Sequence, residues 1–333
     1  MAILIKKVFF AIILILTIGF FILSFQSSSE FVTLYDREST AFIKQPEKIT
    51  LIAVGDIMLD RGVEYMVKKH GQNDFYFPFS KLNLEADIVF GNLESVISTQ
   101  GKKVGSIYSF RAEKQAVLGL KKAGFNVLSL ANNHALDYQR IALEDTMISL
   151  KENGIDYIGA GFSAEDAFSV KIKEVKGVKI GFLAYTNLGS SLWRARLNGG
   201  TGLAWIDRSN FDDLKENIKE TKNKVDILVV SLHAGVEYSN LPNSFQKDFA
   251  KICLSNGADL ILGHHPHVKQ PLEKINNGWV AYSLGNFVFD QNFSEETMKG
   301  MLLRVTIENK KITQVKKQEI IINSFFQPEI REF

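Results

Sequence analysis

The stretch Ala258-Asp259-Leu260-Ile261-Leu262-Gly263-His264-His265-Pro266-His267 decides how the rest of the chain is read. A short apolar run reaches a glycine and passes at once into a histidine cluster. A run of that length bounded by glycine suits a buried strand. Pro266 stiffens the backbone between His265 and His267 and favours two imidazoles turned toward one point. Polar groups placed directly after a buried strand are costly unless something pairs with them.

Working outward, the same junction recurs along the chain. Ile49–Gly55 runs into Asp56, and Asp87–Gly91 runs into Asn92 and Glu94. Asn126–Leu130 runs into Asn132, Asn133 and His134, and Val225–Leu232 runs into His233, with Glu237 a little further on. Trp279–Ser283 runs into Gly285 and Asn286. Of the six histidines, all but His70 stand at these strand ends. His70 lies in Lys-Lys-His-Gly, a pattern that suits the last turn of a surface helix.

Helix-like stretches separate the runs: Glu113–Ala123, Leu143–Asn153, Phe211–Thr221 and Phe245–Asn256. Further strands are predicted at 156–159, 170–175, 178–185, 268–275, 301–308 and 312–322. Lys176-Gly177 and Asn276-Asn277-Gly278 read as hairpin turns. Strands alternating with helices predict an α/β layer architecture, antiparallel in part. Ligands of such sheets bind at the carboxyl ends of the strands, so the polar residues named above are expected to converge there. Imidazole, carboxylate and amide oxygen together suit a divalent cation such as Mn²⁺, Zn²⁺ or Fe²⁺. Such a cation activates water and polarises a phosphoryl oxygen. Trp193–Trp205, rich in Gly and Arg and without periodicity, reads as a surface loop and a candidate lid.

The 333 residues are 46% hydrophobic and 23% charged, enough apolar material for a sizeable core. A net charge of +2 without long basic runs argues against a nucleic-acid partner. Cys253 is the single cysteine, which excludes an intrachain disulfide and a thiolate metal site; it reads as a buried helix residue.

Lys6 and Lys7 precede an uncharged run from Val8 to Phe25, followed by Gln26, three serines and Glu30. The run is at the short end of a membrane span. A cleaved signal peptide is the competing reading, with only the serines to supply a cleavage site. An uncleaved signal anchor over 1–29 is expected, with a linker over 30–48 and one domain over 49–333. The positive pair before the apolar run keeps the N-terminus in the cytoplasm. The expectation is therefore a single-pass protein of the cell membrane with its C-terminal domain outside the cytoplasm.

The stretches Val54–Leu59, Gly91–Glu94, Ser129–Asp137, His233–Glu237, Gly263–His267 and Tyr282–Phe287, in this order, resemble the metallophosphoesterase (calcineurin-like) superfamily. More narrowly they are similar to its CapA branch, the PGA_cap family linked to poly-γ-glutamate capsule synthesis. The resemblance covers about residues 49 to 290. It implies a metallophosphatase-like four-layer α/β/β/α sandwich of mixed sheets and a centre of one or two divalent ions.

Residue by residue, the resemblance makes Asp56 the first metal carboxylate and Glu94 a bridging carboxylate. Asn133, His233, His265 and His267 become further ligands, with His264 an alternative to His265. His134 is placed to assist a leaving group, so that His134 and Asp56 are the catalytic candidates. Arg61, Asn92, His264 and Asn286 are expected on the substrate side. One departure stands out: the superfamily has a histidine two residues after the first aspartate, and here that residue is Met58. Two functions follow from the resemblance. One is synthesis or export of an anionic capsule polymer beside synthase and export subunits at the cytoplasmic membrane. The other is metal-dependent hydrolysis of a phosphoester in the cell envelope.

Overall fold

Along Ile49–Ile57, Leu51 and Ala53 point into one apolar cluster, Ile52 and Val54 into another, and none of the four has accessible surface. Side chains alternate across a strand, so a strand buried on both faces has to lie between two covering layers. The computed structural model describes residues 47–196 and 200–331 of this chain. From Lys48 onward the chain forms one compact unit. The expected signal anchor and nearly all of the expected linker lie outside the described residues. No described helix is long and apolar enough to cross a membrane.

The first sheet starts with β1 (Ile49–Ile57), β2 (Ile88–Leu93), β3 (Val127–Ser129) and β4 (Asp156–Ile158). The second comprises β5 (Lys171–Val175), β6 (Val178–Thr186), β7 (Ile227–His233), β8 (Leu260–His264), β9 (Leu272–Ile275) and β10 (Gly278–Ala281). The chain then returns to the first sheet with β11 (Asn286–Val288), β12 (Lys299–Glu308), β13 (Lys311–Ile322) and β14 (Pro328–Ile330). The order in the first sheet is β14-β13-β12-β1-β2-β3-β4, with β11 also pairing with β1. In the second it is β9-β10-β8-β7-β6-β5. Both sheets are mixed: β1 to β4 run parallel, as do β6, β7, β8 and β10, with antiparallel strands at the flanks.

Helices α1 (Arg61–His70), α2 (Ala116–Lys122) and α3 (Gln139–Glu152) cover the outer face of the first sheet. Val63, Leu120 and Met147 pack there against Ile52 and Leu128. Helices α4 (Phe211–Lys222) and α5 (Ser244–Ser255) cover the second, where Ile218, Phe249 and Cys253 meet Leu228 and Val230. Between the sheets, Leu51, Phe90 and Val127 face Phe182, Val229 and Leu262. The layers are therefore α/β/β/α, and Cys253 is buried in a helix as expected.

Both expected hairpins are present. Lys176 and Gly177 have φ of 50° and 74°, the pair of left-handed residues a tight two-residue turn requires. The strand expected from 268 begins only at Leu272, because Pro271 offers no amide to the ladder. The expected loop over 193–205 is tied down: Gly202–Leu203 pairs with Ala160–Gly161, and Trp205 bridges Thr186. None of its described residues lines the cleft formed by Arg61, His134 and Glu237, so the lid expectation is not met by them.

Candidate metal centre

Gly55 and Gly263 explain how two ligand-bearing strands reach one point. A Cβ on Gly55 would fall 1.9 Å from the Gly285 carbonyl oxygen, and one on Gly263 would fall 1.9 Å from that of Tyr282. Only glycine permits so close a backbone approach. The next residues, Asp56 and His264, are thereby brought to the edge shared by the two sheets. Asp56 stands in register with Asn92 on β2 and Asn286 on β11. On the other sheet His233 and His264 are in register across β7 and β8.

The side chains meet. Asp56 Oδ1 accepts from Asn92 Nδ2 at 2.9 Å and lies 3.2 Å from His264 Nδ1. Asp56 Oδ2 accepts the His265 amide at 3.2 Å and lies 3.5 Å from His267 Nδ1. Glu94 Oε1 accepts from Asn92 at 3.1 Å and lies 3.4 Å from His233 Nδ1. His233 Nε2 is 2.7 Å from Asn133 Oδ1, and His267 Nδ1 is 3.0 Å from Asn286 Oδ1. All the expected ligands, from Asp56 to His267, thus share one locus.

Burial sets the charges. It raises the Asp56 carboxyl, but the hydrogen bond with His264 and the Asn92 amide outweigh it and hold Asp56 below the usual carboxylate range. For Glu94, burial and then the charge of Asp56 push the carboxyl well above its ordinary value. Burial drives His233 well down and lowers His267. Burial, and next the neighbouring His267, takes His265 down to about 3. The lowered imidazoles are neutral at pH 7 and offer lone pairs, the form a metal takes.

The donor set fits a divalent cation. Glu94 Oε2, His264 Nε2 and His265 Nδ1 are buried with no hydrogen-bond partner, and such groups are costly unless satisfied. Two trios have ligand atoms within 4.8 Å of one another: Asp56, Glu94 and His267, and Glu237, His265 and His267. Imidazole with carboxylate and no thiolate is a borderline donor set. Met58 adds nothing to it, since it is buried and its sulfur faces the Asp60 amide at 3.1 Å.

Residues 50–291 match the family model described as bacterial capsule synthesis protein PGA_cap. The chain belongs to that family. It is 34% identical over 261 residues to the capsule biosynthesis protein CapA of Bacillus anthracis, covering 75% of this chain and 62% of that protein. To the PGA biosynthesis protein CapA of Bacillus subtilis it is 36% identical over 244 residues, covering 72% and 63%. The matched part thus spans less than two thirds of either relative. The crystal structure of a novel phosphatase from Mycoplasma pneumoniae superposes with a TM-score of 0.50 and 18% identity, covering 83% of this chain and 95% of that one. That likeness shows the fold.

In this PGA_cap protein Asn133 and His267 of the ligand set reach a cleft of about 460 Å³, a small-molecule scale. Arg61, Asn133, His134, Glu237 and His267 line it. Arg61 opens α1, is ion-paired with Asp290, and stacks over Phe110 at 4.5 Å. Asn92, His264 and Asn286, expected on the substrate side, have no accessible surface and touch ligand candidates instead, so their place is behind the centre. His134 sits beside the cleft with Nδ1 2.8 Å from Asp137 Oδ2.

Three contributors were given no role of their own from sequence. Asp137 orients His134 and accepts the Phe110 amide at 2.8 Å; its signal was an acid three residues past the histidine. Asn132 anchors the same loop, donating to the Leu93 carbonyl at 2.8 Å and accepting the His134 amide at 3.0 Å. Glu237, four residues beyond His233, comes up to His265 and His267.

Proposed function

We propose that this chain serves in the synthesis or export of an anionic capsule polymer of the poly-γ-glutamate type, with a divalent cation at the centre formed by Asp56, Glu94, Asn133, His233, His265 and His267. Mn²⁺, Zn²⁺ and Fe²⁺ all suit these donors. The domain works outside the cytoplasmic membrane, tethered by the apolar run Val8–Phe25, next to polymer synthase and export subunits. The relatives named for capsule and PGA biosynthesis support the polymer, and the observation that carries the metal is the meeting of carboxylates, imidazoles and orphaned buried atoms at one locus.

When bound, the cation would polarise a carboxylate or phosphoryl oxygen of the occupant. Asn92 would steer Asp56 and Glu94, and Asn286 would steer His267, through the hydrogen bonds described. Arg61 would present a cation at the cleft wall, held by Asp290 and Phe110. The test is polymer output in a host whose own copy carries His265→Ala or Asp56→Asn. Capsule should fall while the protein stays in the membrane fraction; full capsule with either variant would remove the metal from the function.

A second reading, hydrolysis of a phosphoester in the envelope, is favoured by the His134–Asp137 pair at the cleft. Asp137 would fix the imidazole, and His134 would hold a proton for a departing oxygen. Turnover of phosphoesters by the purified full chain with added Mn²⁺, lost in His134→Ala, checks it.

A further inference from the structure

We propose that Glu237 is itself a ligand of the metal centre and closes it from the cleft side with His265 and His267. This rests on the metal reading above and extends it to a residue outside the set expected from sequence.

One carboxylate oxygen of Glu237 and one nitrogen from each of His265 and His267 lie within 4.8 Å of one another. His265 is 7% exposed, and its Nδ1 is buried without a hydrogen-bond partner. A buried imidazole with an orphaned nitrogen, grouped with a second imidazole and a carboxylate, is what a bound cation would satisfy.

The backbone is built to hold Glu237 there. Gly235 has φ of 125° and Tyr238 of 63°, a conformation L side chains seldom adopt. The loop is laced to the histidine cluster at both ends: the Ala234 amide donates to the His264 carbonyl at 3.2 Å, and the Tyr238 amide to the Pro266 carbonyl at 2.8 Å. His265 and His267 also have positive φ, 97° and 58°. Tyr238, His265 and His267, all non-glycine at positive φ, thus stand in two loops that are hydrogen-bonded to each other and carry the three donors.

Met58 supplies no donor on this side, since its sulfur is taken by the Asp60 amide. Asp56 and Glu94 are fully buried, whereas Glu237 is exposed. The centre therefore has buried acids below and a single solvent-facing acid among the two trios.

The experiment strips the full chain of metal and titrates it with Mn²⁺ by calorimetry, with the bound ion counted by mass spectrometry. Wild type, Glu237→Gln and Glu237→Asp are compared. Glu237 is exposed, so the metal-free variants should melt with the wild type. Glu237→Gln should weaken Mn²⁺ about 10-fold or more or remove one bound equivalent, and Glu237→Asp should recover part of the loss. Wild-type affinity and count in Glu237→Gln overturn the role of Glu237 while leaving the metal reading standing. No Mn²⁺ binding by the wild type overturns both.

Discussion

His264 Nδ1 lies 3.2 Å from Oδ1 of Asp56, joining residues 208 positions apart on two different sheets. Asp56 also accepts the His265 amide and an Asn92 amide proton. One carboxylate thus ties β8 to β1 and β2 at the edge where the sheets meet, before any ligand is considered.

Asp56→Ala should therefore weaken the metal-free fold. It leaves the His265 amide buried without its acceptor and takes one of two carboxylate acceptors from Asn92, at a cost of about 1–3 kcal/mol. Urea unfolding in the presence of a chelator checks this. An unchanged midpoint would mean that the joint contributes nothing to stability.

The metal-free protein should also lose stability as pH falls below about 6.5. Folded His233, His265 and His267 titrate below the ordinary histidine value of 6.5, His265 at about 3. The unfolded chain therefore binds more protons in that window, and stability rises with pH. Glu94 acts in the opposite sense. Its raised folded value makes its contribution fall as pH climbs past 4.5. Three imidazoles outnumber one carboxyl, so the net slope between pH 4.5 and 6.5 should be positive. Denaturant midpoints across that range measure it, and a flat or negative slope contradicts it.

Gly55→Ala and Gly263→Ala should each disturb the centre without touching a ligand. The added methyl meets a backbone carbonyl at 1.9 Å, so the strand must shift rather than a side chain. Overpacking of this kind costs about 1–3 kcal/mol, and the displaced Asp56 or His264 should lower Mn²⁺ affinity in parallel. Thermal melting and Mn²⁺ titration of the same samples report both, and wild-type values in both would refute the close-approach explanation.

Much of this was readable in the chain itself. Gly55-Asp56, Asn133-His134 and Gly263–His267 announce themselves because a buried strand cannot end in such residues without a partner. The layers followed from apolar runs separated by helix-like periods. Other residues carried no local mark of their role. Glu237 lies in a loop whose path depends on Gly235, Tyr238 and the Pro266 carbonyl, and an acid in a loop is ordinarily solvated. Asn92, His264 and Asn286 looked like residues that face a substrate, but register alone decides that they lie behind the centre. β11 and β14 are three-residue strands, formed by pairing to strands already in place.

Asp137→Asn separates the two functional readings. Asp137 touches His134 and the Phe110 amide and none of the ligand candidates. Mn²⁺ affinity should stay within about twofold, and capsule output should stay near wild type, while any phosphoester turnover should fall about 10²-fold. Loss of capsule with metal retained would instead make hydrolysis the working function.

The most direct measurement is an anomalous diffraction map of the Mn²⁺-soaked crystal, collected at the manganese edge. A peak is expected about 2.0–2.3 Å from donor atoms of Asp56, Glu94 and the imidazoles of His233, His265 or His267. A fully occupied ion elsewhere on the chain, with no density among those side chains, would contradict the metal centre.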